Sequence, residues 1–80
     1  MTRVFKHKNF GVYVAEARGE QHHMPHAHIK ERGTELCTVN LYTLEPLQRG
    51  RKLPAGMLEE LKAHQDALLA EWERLNGDER

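Results

Sequence analysis

The sequence predicts an α+β fold: a three- or four-stranded antiparallel sheet packed on one long C-terminal helix, in two layers. Three observations predict it. Short segments with period-two alternation occupy the first half of the 80-residue chain. Turn-forming residues separate those segments. The last third carries apolar residues at three- and four-residue steps. Eighty residues leave room for one small domain. That domain spans residues 1–77, with 78–80 as a frayed tail.

Each element has its own warrant. Val4 and Phe5 form a short first strand. Phe10, Val12 and Val14 alternate with Gly11, Tyr13 and Ala15, which is a strand pattern. Residues 18–25 are polar and end in Pro25, so they form a loop. Pro25 also pushes Met24 towards an extended conformation. His26 to Glu31 is the next strand, and Arg32-Gly33 is a hairpin turn. Glu35 to Tyr42 follows, with Leu36, Cys37, Val39 and Leu41 giving it an apolar face. Thr43 to Lys52 is a loop or short edge strand, with Pro46 and Gly50 as breakers. A helix then runs from about Pro54 to Asn76, ~33 Å at 1.5 Å per residue. Met57, Leu58, Leu61, Leu68, Leu69, Trp72 and Leu75 form its apolar stripe. Pro54 suits a first turn, Glu59 and Glu60 complement the dipole, and Asn76-Gly77 suits a C-terminal stop. The stripe needs a partner surface, and one face of the sheet is the candidate.

Composition bounds the function. Leu, Ile, Val and Phe supply 17 residues against 24 charged ones, so the core is thin. A chain this short buries only ~60–65% of its unfolded surface, and a homodimer would be a natural remedy. No apolar run approaches the ~18 residues of a membrane span. The first six residues lack the apolar stretch of a signal peptide. A single cysteine, Cys37, excludes an internal disulfide and fits the reducing cytoplasm. The net charge of zero hides a split. Residues 1–52 hold nine Lys/Arg against five Asp/Glu, and residues 53–80 hold three against seven. Either an acidic helix neutralises a basic sheet, or the basic part meets a polyanion such as RNA or DNA.

Chemistry concentrates in His22-His23-Met24-Pro25-His26-Ala27-His28, four histidines in seven residues. On a strand His26 and His28 project from one face, ~6.5–7 Å apart at Cα. Three readings stay open. The segment is a histidine-rich surface stretch bonded to backbone carbonyls. Or the pair forms a metal-independent acid–base or anion-binding site, because histidine titrates near neutrality. Or His22, His26 and His28 bind a metal such as zinc, which takes three protein ligands and an open position. His64 lies along the helix stripe and could orient one imidazole from below. Arg49, Arg51 and Lys52 form one compact basic cluster that could hold a phosphodiester, or a solvated loop. Trp72 fits a core anchor and Cys37 a small buried hydrophobe. Thr38 and Asn40 give no triad signature, and there is no glycine-rich phosphate loop.

The chain resembles the small bacterial domain-of-unknown-function 4160 family over nearly its whole length. The resemblance rests on Val4-Phe5, on Phe10-Gly11-Val12-Tyr13-Val14, and on Pro25-His26-Ala27-His28-Ile29 followed by Gly33. Leu36, Val39 and Leu41 match an apolar strand, and His64, Leu68-Leu69 and Trp72 match the helix. Met24 replaces the first Pro of the family's Pro-Pro-His-x-His segment, and the helix before His64 is about one turn shorter. The resemblance implies a component of a toxin–antitoxin-like module, with a second small protein from a neighbouring gene as partner and RNA as target. It marks Pro25, His26, His28 and His64 as parts of a pattern. The expected function is action on RNA through the histidine cluster, with His26 and His28 sharing acid and base roles. The alternatives are a non-catalytic protein-interaction module of antitoxin type and a histidine-based metal-binding domain.

Overall fold

The computed structural model describes residues 1–16 and 24–77. The chain forms β1 (Thr2–His7), β2 (Phe10–Val14), β3 (His26–Glu31), β4 (Thr34–Asn40) and α1 (Met57–Asn76). The strands lie in sequence order in one antiparallel sheet. The fold is therefore the expected α+β class, with four strands. Lys8-Asn9 joins β1 to β2, with Lys8 at φ 56°. Arg32 and Gly33 join β3 to β4 with both φ values positive, 52° and 84°, as a right-twisted two-residue hairpin turn requires.

Period two sorts the sheet faces. Val12, Val14, Ala27, Ile29, Cys37 and Val39 are all buried. They form a core with Met57, Leu61, Leu68 and Trp72 of α1. Their neighbours in sequence, Tyr13, His28 and Lys30, are half-buried on the other face, and His26, half-buried at the start of β3, reaches Trp72 of the core. Leu41 and Leu44 close the core at the end of β4.

Two bulges adjust the register. One falls between Arg3 and Phe5, the other between Ile29 and Lys30 against β4. In the second, Ile29 pairs with Cys37 but Lys30 pairs with Glu35, so Leu36 is the extra residue. Residues opposed across strands share a face, and the extra residue moves Glu35 onto the face of Lys30 and His28.

The outer edge of β4 is covered. Asn40 donates to the Glu45 carbonyl at 3.0 Å, and Leu47 donates to the Thr38 carbonyl at 2.8 Å. Val39 bridges Pro46. The Gln48 side chain completes the ladder: its oxygen accepts from Thr38 N at 2.9 Å and its amide donates to Thr38 Oγ1 at 2.8 Å. Of the two forms expected for Thr43 to Lys52, the region takes the loop: it meets β4 through one isolated bridge and builds no further strand. The strand before it ends at Asn40, not Tyr42, because Asn40 Oδ1 accepts from the Tyr42 and Thr43 amides and turns the chain.

The helix starts at Met57 rather than at Pro54. Gly56 stands at φ 79°, a left-handed conformation that a right-handed helix cannot include. Pro54 instead accepts a turn bond from Met57 N at 3.0 Å. Twenty helical residues then span ~30 Å. His7 Nε2 donates to the Ala55 carbonyl at 3.1 Å and ties the helix entrance to the end of β1. At the other end Asn76 Nδ2 donates to the Ala15 carbonyl at 3.4 Å.

Candidate functional site

β3 carries the site. Its entry is fixed from the end of β4: Leu41 N donates to the Pro25 carbonyl at 3.0 Å, and Asn40 Nδ2 donates to Met24 Sδ at 3.2 Å. His26 follows at once and pairs with Asn40. The His26 and His28 rings meet edge-on, with centroids 5.2 Å apart. His26 also packs on Trp72, centroids 5.0 Å apart, where the last turns of α1 reach the end of the sheet. The two imidazoles therefore share one side of β3.

Each ring is oriented by its Nδ1. His26 Nδ1–H donates to the Met24 carbonyl at 2.9 Å. His28 Nδ1–H donates to Glu35 Oε1 at 2.9 Å. With Nδ1 as the donor, Nε2 is the atom that can accept a proton or carry a second one. When His28 carries both protons, it makes an ion pair with Glu35. The His28 side chain is 20 % exposed and that of Glu35 46 %, so the pair borders solvent. Glu35 was not among the sequence candidates. On a regular ladder it would face away from His28, and only the bulge at Leu36 turns it inward.

A groove of about 290 Å³ opens on the same face beside this pair. Arg3, Lys6, Lys30 and Arg32 line it together with Tyr13 and Gly11. Lys30 Nζ sits 5.6 Å from the centre of the Tyr13 ring, within cation–π range. Tyr13 is the cross-strand partner of His28, and Lys30 lies two residues along β3 from it. The groove thus begins one residue pair from the histidines.

The remaining sequence candidates lie elsewhere. His22 and His23 fall outside the described residues. Among the described residues, no group of three or more His, Cys, Asp or Glu comes together to hold a metal ion. His64 stacks on Phe5, centroids 4.0 Å apart and planes 8° from parallel, and its Nδ1–H donates to the Glu60 carbonyl at 2.9 Å. Trp72, ~12 Å further along the axis, is the helix residue whose ring packs on His26. Arg49, Arg51 and Lys52 are exposed beyond Gln48 on the β4 side, and none of them lines the groove. Cys37 is buried in the core; burial pushes its thiol up, Arg51 opposes this and Glu35 adds to it. Trp72 is a core residue, as its place on the helix stripe predicts.

Among the described residues, no helix is long and apolar enough to cross a membrane. Comparison of the chain with family models, curated proteins and solved structures finds no match.

Proposed function

We propose that this protein acts on RNA in the bacterial cytoplasm, with His26 and His28 as an acid–base pair for cleavage of the phosphodiester. One observation carries the reading. Two imidazoles touch, and each has its Nδ1–H tied to a fixed acceptor, so both point chemistry through Nε2. Acid–base cleavage of RNA needs two such groups. His26 Nε2 takes the proton of the 2′-hydroxyl as that oxygen attacks phosphorus. His28, as the imidazolium paired with Glu35, gives its Nε2 proton to the departing 5′ oxygen. The products are a 2′,3′-cyclic phosphate and a free 5′-hydroxyl. General acid–base catalysis of this kind contributes ~10²–10⁴-fold. The resemblance to the domain-of-unknown-function 4160 family supports a toxin–antitoxin-like setting.

The test is direct. Purified protein is incubated with single-stranded RNA and with DNA of the same sequence. Cleavage of RNA alone, with cyclic phosphate ends, is the expected result. His26→Ala and His28→Ala each remove it while circular dichroism shows the fold retained. Equal cleavage by the double variant, or none by the wild type, overturns the reading.

A second reading is a protein-interaction module of antitoxin type. Among the described residues the outer edge of β1 pairs with no strand, whereas that of β4 is covered. An open edge is a template for strand addition by a second small protein. Co-expression with the neighbouring gene's product checks it: a stable complex supports the reading, and two separable proteins reject it.

A further inference from the structure

We propose that the groove formed by Arg3, Lys6, Lys30 and Arg32 seats the backbone of a single-stranded RNA whose scissile phosphate lies at the histidine pair. The proposal rests on the RNA reading and names the binding surface it requires.

Four cationic side chains from two separate stretches of sequence converge on one groove, and among the described residues no acidic side chain lines it. Like charges so gathered repel one another, and a polyanion relieves that repulsion while releasing its counterions. Glu35 pairs with Lys30 across the strands and binds His28, and Glu31 is exposed at the hairpin end.

The lining suits a chain rather than a compact ligand. Gly11 is buried beneath Tyr13: a Cβ there would lie 2.7 Å from Tyr13 Cε1 and 3.0 Å from its hydroxyl. The absent side chain lets the tyrosine ring lie flat along the sheet. A tyrosine ring lying along the sheet, with the Lys30 ammonium over it and further cations around the groove, offers a nucleic-acid strand aromatic and backbone contacts together. The neighbour of Tyr13 across the ladder is His28, so a strand leaving the groove passes over the acid–base pair.

Fluorescence anisotropy with a labelled 2′-O-methyl RNA oligonucleotide separates binding from cleavage, because this probe cannot be cut. The wild type is expected to bind, with affinity falling as salt rises. Lys30→Gln with Arg32→Gln is expected to weaken binding at least tenfold, by analogy with ~0.7 of salt slope lost for each phosphate contact removed on a single strand. Arg3→Gln with Lys6→Gln behaves the same way. Arg49→Gln with Arg51→Gln and Lys52→Gln leaves binding unchanged. Binding without cleavage of ordinary RNA would uphold the groove and reject the catalytic reading. The groove is rejected if its variants bind like wild type, if the Arg49–Lys52 variants lose binding instead, or if the wild type binds no oligonucleotide. It is likewise rejected if anionic vesicles or an acidic peptide displace the oligonucleotide at equal charge concentration.

Discussion

Glu35 Oε1 lies 2.9 Å from His28 Nδ1 because one extra residue, Leu36, interrupts the pairing of β3 with β4. A carboxylate so placed holds the ring's tautomer and compensates the imidazolium. Glu35→Gln keeps the shape and removes the charge. We expect RNA cleavage to fall by about tenfold or more, within the ~10²–10⁴-fold lost in His28→Ala. The double variant should be no slower than His28→Ala alone, since Glu35 acts through that ring. Initial rates for the four proteins check this, and an additive double variant would show that Glu35 works independently.

Gln48 substitutes for a missing strand residue along the outer edge of β4. Its amide satisfies both Thr38 N and the buried Thr38 Oγ1. Gln48→Ala leaves both without that partner. The expected loss is about 1–3 kcal/mol, a large share of the stability of a domain this small. Urea unfolding checks it. A change under half a kcal/mol would mean that water replaces the amide without cost.

How far the sequence reveals this molecule depends on the range of the interaction concerned. Strand alternation at 10–14 and the helix stripe are local patterns, and both appear in the structure where the periodicity puts them, except that Leu58 of the expected stripe is exposed. Arg32-Gly33 is legible because the glycine accepts positive φ, whereas Lys8 adopts φ 56° without any glycine to announce it. Gly56 carries a stop signal that Pro54 obscured. The shared side of His26 and His28 follows from period two. The face taken by Glu35 does not, because it depends on a bulge whose position is set by packing on both sides of the ladder. The basic groove is hidden for the same reason. Arg3 and Arg32 are far apart in sequence, and only the register of three strands brings them to one place.

Cys37 gives the fold an alkaline limit. Burial raises its thiol above the ordinary value of 9.0. The folded state therefore keeps a proton that the unfolded state releases. Stability from this group is fully present below pH 9.0 and is lost as pH rises through the higher folded value. Cys37→Ala is less stable at neutral pH through its small cavity, but it should lose less on going to about pH 10. Denaturant midpoints at both pH values check the sign, and equal losses in the two proteins would reject the assignment.

His64 is a packing residue, and its substitutions should separate it from the histidine pair. Its ring stacks on Phe5 and thereby joins α1 to β1, while its Nδ1–H closes a bond to the Glu60 carbonyl one turn back. Neither contact needs a proton to move. His64→Phe keeps a flat ring over Phe5 and should leave cleavage unchanged. His64→Ala removes the stack and should cost about 0.5–1.5 kcal/mol beyond the lost area, again with cleavage unchanged below the unfolding transition. Thermal melts and initial rates on the same preparations distinguish the roles. A His64→Phe variant that is folded but does not cleave would place this ring in the chemistry after all, acting on His26 through the intervening turns of the helix.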